Sequence, residues 1–451
     1  MWSSRVPRRM RAAHPSLFTP KTFFFSPLLK EYGNEWAECF GLKAAAVYSA
    51  ICGRDADELL VAEKFLKCIA FYCLNPVNKD APKQESDKQK QAAPPVAAEP
   101  SGDVPLRQTV PAEPEAVSIA TQLVDKRPTK LLPIKIKETC DAVYIVVAFL
   151  RNFKQWAEED REKIDGYIIW EHGPHLVSDM AILDNQLLLN QTINVVQNLD
   201  QAVIETLRFM LKDTHSPSPS VGYLKVPFNR EDFHEVVALF CWYFSPFFAE
   251  KKLHGRIAKE LNTKSTLLEC LHYSLVRPTK DDQVVVTAKL AWPIPTAKKL
   301  AQSGVQFEAD PDGAIQVQFT KPVFKLPGLV FDTKMETVVS NLIALENSKP
   351  KRPLTRYFQL MNELVDDVED VRVLKRFGVV RGRWKKEDVV DFVKKMGNLA
   401  SCPSMYPAMD DEICKMKEWH DERMRKALEW TSALAAAIIV VTVIFVVKGR
   451  A

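Results

Sequence analysis

Glu171, His172 and His175, followed by Asp179, come nearest to a metal-binding pattern in this chain. Two imidazoles three residues apart can reach one ion, and carboxylates can complete its shell. Gly173-Pro174 breaks any helix between them, so regular backbone does not set the ring geometry. An exposed turn ahead of a helix is the preferred reading. Asp366, Asp367, Glu369 and Asp370 crowd carboxylates into VDDVEDV, which could suit a cation, but the same spacing suits a solvated helix face. In LDNQ, Asp184, Asn185 and Gln186 stand amid a strongly apolar helical pattern. Buried amides and carboxylates must find partners. No histidine or lysine accompanies them in sequence, so they are expected to cap neighbouring backbone rather than perform acid–base work. The run KRFGVVRGRWKK, Lys375 to Lys386, is the densest basic stretch and contains Trp384. Guanidinium groups beside an indole can hold phosphate, RNA or an anionic membrane surface. A solvated turn between helices is preferred.

Common backbone devices for catalysis are missing. No two glycines stand two or five apart, which removes the dinucleotide fingerprint and the P-loop. Gly378 and Gly382 are four apart but enclose no serine, so there is no nucleophile elbow. No H-E-x-x-H occurs. The sequence therefore assigns no catalytic, cofactor-binding or metal residue. A formal charge of +4 over 451 residues gives no global argument for nucleic acid. The nine cysteines, Cys39, Cys52, Cys68, Cys73, Cys140, Cys241, Cys270, Cys402 and Cys414, are odd in number and scattered. That is the pattern of reduced, mostly buried thiols facing the cytosol.

Helical periodicity must supply the frame for these residues. It appears around Gly41–Cys52 and over Leu59–Leu74, then from Glu138 through CDAVYIVVAFLRNFKQWAEEDREKI. A long helix is expected from Ser178 to about Asp213, ended by HSPSPS, with others over Arg230–Tyr243 and Thr266–Val276. Between 305 and 331, Val305 and Phe307, then Ile315, Val317 and Phe319, alternate with polar residues around Asp310-Pro311-Asp312-Gly313. Phe324 and Leu326 add a third strand, which gives an antiparallel meander. Thr333 and Glu336 fit a capping box for a helix whose stripe is Met335, Val338, Val339, Leu342 and Ile343. Helices near Leu354–Asp367 and Lys386–Leu399 complete the body. In the charged stem Asp410–Glu429, the apolar residues Ile413, Met416, Met424 and Ala427 share one side with His420. The stripe could form a coiled-coil seam, but docking on its own domain is preferred.

Several stretches, in this order, carry a resemblance. They are RVPRRMRAAHPSLFTPKTFFFSPL at the start, DGYIIWE at Asp165–Glu171 and MAILDNQLLL. IPTAKKLAQSGVQF follows, then the meander, NLIALENS at Asn341–Ser348, and LTRYFQLMNELVDDVEDVRVLKRFGVV from Leu354. Together they resemble the plant family catalogued as domain of unknown function 247, UPF-type uncharacterised plant proteins with a C-terminal membrane helix. Departures exist. Ser26-Pro27-Leu28 replaces a Gly-Pro-Tyr segment, Asp184 stands for Glu, and no Pro-Phe-Phe follows LDNQL. The resemblance covers nearly the whole chain except 75–130. It implies that the acid-free start, otherwise readable as a transit peptide, belongs to the folded body over Arg5–Pro27. It implies no established enzymatic activity, and some family members are associated with pollen-side recognition in grass self-incompatibility.

Trp430 to Val447, WTSALAAAIIVVTVIFVV, carries no charge and no proline. As a helix it would reach about 27 Å, close to a thin bilayer's hydrocarbon thickness. The expected fold class is thus mainly α-helical (α+β), with a small antiparallel β-meander and one C-terminal transmembrane helix. The expected divisions are 1–74, the N-terminal part of the body; 75–130, a disordered low-complexity insertion; and 131–409, the main helical body with the meander at 305–331. A charged stem over 410–429 leads to the transmembrane helix at 430–447. The expected function is that of a membrane-anchored plant recognition or interaction protein of unknown biochemical activity. The alternatives are a hydrolase or transferase with a site assembled from distant residues, or a basic-patch nucleic-acid binder. The expected partners are a membrane, reached through Trp430 to Val447, and an unidentified protein, without nucleic acid and without a cofactor. Lacking a signal-peptide core, the body is expected in the cytosol, single-pass by its C-terminal anchor, with Asn190 of its N-Q-T sequon unglycosylated.

Overall fold

The computed structural model describes residues 6–21, 24–25, 33–52, 59–76, 134–150, 153, 179–186, 188–211, 230–249, 266–276, 293–400 and 406–448. The helices, in chain order, are α1 Arg8–Ala13, α2 Pro15–Phe18, α3 Gly33–Cys52, α4 Leu59–Leu74, α5 Ile134–Tyr144, α6 Leu189–Leu211, α7 Arg230–Phe244 and α8 Leu267–Leu275. They continue as α9 Ala297–Gln302, α10 Met335–Glu346, α11 Pro353–Leu364, α12 Val368–Arg376, α13 Lys386–Leu399 and α14 Pro407–Lys448. The strands are β1 Gln306–Asp310, β2 Gln318–Thr320, β3 Val323–Pro327, β4 Leu329–Phe331 and β5 Val380–Gly382. Local chemistry explains several boundaries. Thr266 caps α8 by accepting the Glu269 amide at 3.3 Å. Pro15 and Pro353 open α2 and α11, where a missing N–H costs nothing. The expected insertion falls outside the described residues from 77 onward.

The chain divides into two compact units. One comprises 1–35, 152–190 and 231–451, and the other 36–151 and 191–230. The first unit is built on α10, α11 and α13. The expected stripe of α10 is fully confined: Met335, Val338, Val339, Leu342 and Ile343 are all buried. Each such side chain is worth about 1.5–3 kcal/mol of burial. The predicted capping box does not form. Lys334 stands at the N-cap without capping the helix, its ammonium paired with Asp332 at 2.8 Å, and Glu336 turns to Lys395 instead. Phe331, Phe358 and Trp384 each pack edge-on against Phe392 of α13, with Phe331 and Phe392 centroids 5.3 Å apart.

The sheets differ from the expected meander. In the three-stranded sheet the order is β1-β3-β2, with β3 parallel to β1 and antiparallel to β2. Only β2 and β3 form a hairpin. The segment after β1 leaves the sheet, because its polar backbone pairs elsewhere. Asp312 bridges to Ala249, and the Ile315 amide bonds the Leu275 carbonyl at 2.7 Å. Gly313 permits this crossing: its φ is +66°, and a Cβ there would sit 2.6 Å from the Ala249 Cβ. A second, two-stranded parallel sheet pairs β4 with β5. The basic run thus contributes a strand, not only a turn between helices.

The second unit holds a buried ion pair between Lys43 and Asp141 at 2.6 Å. Burial alone would lower the Lys43 pKa, but Asp141 and Cys39 outweigh it and hold the ammonium above its ordinary value. Tyr48 and Phe65 meet edge-on between α3 and α4. α5 passes directly into a π-helical turn, Ile145–Leu150. Among the described residues eight cysteines are free of disulfides, six of them buried.

The C-terminal expectation is corrected. α14 is a single helix, and its first turns dock on the body: Met409, Ile413, Met416 and His420 are buried. The apolar side of the stem therefore covers its own unit, as preferred over a seam, while Met424 is exposed. From Asp421 to Thr442 every residue is exposed. Among the described residues, no helix is long and apolar enough to cross a membrane. The apolar residues from Trp430 continue the same helix as the charged stem Asp410–Glu429. The fold class of the described residues is mainly helical with small sheets, and no membrane-crossing helix is found among them. The single-pass localisation and the cytosolic placement argued from it are withdrawn.

Candidate functional site

LDNQ is where the structure concentrates buried polar groups, and it is not inside a helix. Leu183–Asn185 forms one 3₁₀ turn, flanked by extended backbone at Ile182 and Gln186, and the helix begins only at Leu189. Side-chain bonds to backbone account for the break, since they offer local alternatives to helical bonding. Gln186 Nε2 donates to the carbonyls of Met180 and Ile182, both at 2.8 Å, and its Oε1 accepts the Leu268 amide at 3.0 Å. Asn185 Nδ2 donates to the Asp179 carbonyl at 3.0 Å.

The remaining acceptors reach across the sequence to the N-terminal segment. Asp184 Oδ1 accepts the Val6 amide at 3.1 Å, and its Oδ2 pairs with Arg11. Asn185 Oδ1 accepts the Phe25 amide at 2.6 Å, and Asp179 Oδ1 accepts the Lys21 amide at 2.9 Å. Asn341, on α10, joins the same cluster. Its Oδ1 accepts the Leu183 amide at 2.8 Å, and its Nδ2 donates to the carbonyls of Leu17 and Thr337, both at 2.9 Å. Asp179, Asp184, Asn185, Gln186 and Asn341 are all buried. They form a brace that holds residues 6–21 and 24–25 against the body. The expected capping role of Asp184, Asn185 and Gln186 is what the geometry displays, and the described part of 5–27 belongs to the folded body.

Other candidates resolve differently. Glu171, His172 and His175 lie outside the described residues, while Asp179 serves the brace. Among the described residues, no group of three or more His, Cys, Asp or Glu could hold a metal ion. The VDDVEDV carboxylates are not simply a solvated face. Asp367 caps α12 in a reciprocal capping box with Asp370. Asp370 is buried and accepts the Lys298 amide at 2.8 Å and the Asp366 amide at 3.0 Å. In the basic run, Arg381 stacks 3.6 Å over the Phe248 ring, and Lys375 donates to the Trp384 carbonyl at 2.9 Å. The Trp384 indole packs on Phe331 and Phe392, so the ring is engaged in the core rather than offered as a stacking platform.

Two buried polar groupings were not singled out by the sequence. Arg356 Nε bonds Asp410 Oδ1 at 2.6 Å with both side chains 1% exposed, joining α11 to α14. Glu346 accepts the amides of Leu354 and Thr355 and the Thr355 hydroxyl at the start of α11, and also faces His272 at 2.9 Å. The only advance signal was a glutamate closing the apolar run NLIALE, which burial requires to be partnered. Cysteine chemistry is opposed by burial, which pushes the Cys73 thiol up to about 12 and raises Cys140 and Cys241 well above the ordinary range. Such thiols stay protonated and poorly nucleophilic.

The family model for domain of unknown function 247, described as a plant protein of unknown function, matches residues 139–447. The UPF0481 protein At3g02645 of Arabidopsis thaliana is 38% identical over 99 residues, which is 21% of this chain and 19% of that protein. The match thus spans about a fifth of the relative's length. No solved structure matches.

Proposed function

The chain belongs to the plant family of domain of unknown function 247, and from that premise we propose that it is a recognition or interaction protein whose contact surface is the distal half of α14. One observation carries this reading. Trp430, Leu434, Ile438, Ile439 and Val440 are each more than half exposed on a helix whose first turns are anchored in the body. Contiguous exposed apolar surface of this kind marks contact sites in folded proteins. The buried polar clusters support the same reading from the other side. Asp184, Asn185, Gln186 and Asn341 direct their hydrogen bonds at the chain's own backbone, and Asp370 does the same. They work as architecture.

The test is a photo-reactive phenylalanine analogue placed at Leu434 and, as a control, at exposed Arg372 of the body. In plant cells, polypeptide adducts are expected from position 434 and not from 372. Equal adducts at both positions, or none at either, would overturn the reading.

A further inference from the structure

His272, Glu346 and Lys349 form a relay separate from the brace. Glu346 is fully buried, and its carboxylate is fixed by the amides of Leu354 and Thr355 and by the Thr355 hydroxyl, at 2.8–3.0 Å. His272 Nε2 lies 2.9 Å from Glu346 Oε1, and His272 Nδ1 lies 3.2 Å from Lys349 Nζ. An ammonium can only donate, so Nδ1 is the accepting nitrogen. The imidazole proton then sits on Nε2 and is donated to the carboxylate. The tautomer is thereby fixed by its two neighbours. Lys349 is half-buried at the end of a short turn, braced where Arg352 Nε donates to the Lys349 carbonyl at 3.3 Å.

A nucleophile within reach of a base, with that base oriented by a third group, is the general arrangement of covalent catalysis. Here the order is amine, imidazole, carboxylate. We propose that Lys349 is a nucleophilic amine activated by His272, with Glu346 as positioning residue, and that it is a site of acylation by activated acyl donors, acyl thioesters or acyl phosphates. His272 Nδ1 takes one proton from the ammonium. The amine nitrogen attacks the carbonyl carbon, a C–N bond forms, and the C–S or C–O bond to the leaving group breaks. The departing thiolate or phosphate takes the proton from the imidazolium. The second nitrogen proton passes to water, which leaves a neutral amide. No oxidant or cofactor is needed.

The whole chain, incubated separately with the acetyl thioester of N-acetylcysteamine and with acetyl phosphate, supplies the test. Site occupancy is read by peptide mass spectrometry. Lys351, exposed and two residues away, is the internal reference. Lys349 is expected to acetylate about tenfold faster or more, as a positioned base allows. The donor giving the larger excess identifies the source. His272→Gln keeps a donor toward Glu346 but removes the base, and should bring Lys349 down to the rate of Lys351. A Lys349 rate in the unaltered chain no greater than that of Lys351 overturns the proposal, whether or not the variant folds. So does a folded His272→Gln chain that retains the excess.

Discussion

Asn341 places three of its hydrogen-bonding positions on backbone, holding Leu183, Leu17 and Thr337 at once. Replacing it by alanine leaves the Leu183 amide and the Leu17 carbonyl facing a buried void. Unpaired groups of this kind cost about 1–3 kcal/mol each, so Asn341→Ala should destabilise by about 2–6 kcal/mol. The measurement is a urea midpoint that falls while the slope stays constant; an unmoved midpoint would mean that the brace adds nothing. The role of Asp184, Asn185 and Gln186 was legible in advance, because polar groups within an apolar stretch must be satisfied. Their partners were not, since Val6 and Phe25 lie 178 and 160 residues away. Asn341 could not be told from an ordinary helical asparagine, since Leu183 and Leu17, which it holds in place, belong to two other stretches of chain.

At the level of elements, helices read better than their ends. Leu59–Leu74 and Lys386–Leu399 fall at their expected bounds, because a strong apolar stripe fixes the span of a helix. Capping depends on competition. Thr333 and Glu336 have the spacing of a capping box, but Lys395 draws Glu336 away. Asp367 and Asp370 make the box that the charge run concealed. Hydrogen bonds from the amides of Asp370 and Glu369 hold the Asp367 carboxyl below its ordinary value. A depressed folded value means that the stabilisation is present above the unfolded value, about 3.9, and is lost as pH falls through the folded one. Asparagine still caps but does not titrate. The thermal midpoint of Asp367→Asn should therefore fall less steeply than that of the natural chain below about pH 4; parallel acid limbs in a pH series would exclude this. Strand positions were legible from alternation, but strand order was not. Period-2 patterning specifies a face, and the parallel β1–β3 and β4–β5 pairings depend on where the connecting backbone finds its bonds.

For the molecule as a whole, the docked and exposed parts of α14 have separable effects. Ile413 and Met416 belong to the core, whereas everything described beyond His420 is exposed. A chain ending at Glu429 should unfold within about 0.5 kcal/mol of the full chain, as surface changes usually do. Calorimetry on both would show it, and a clearly lowered midpoint would mean that the distal helix supports the body. Composition showed this helix to be apolar. It could not show how much of the run the structure presents as one exposed length. The brace has a different implication, one of timing. Leu17 emerges from the ribosome 324 residues before the asparagine that receives its carbonyl. At about 5–20 residues per second that interval is roughly 15–65 s. For that time the apolar side chains of Leu17 and Phe18 have no seat on α10, and a chaperone able to shield a short hydrophobic segment would find its client there.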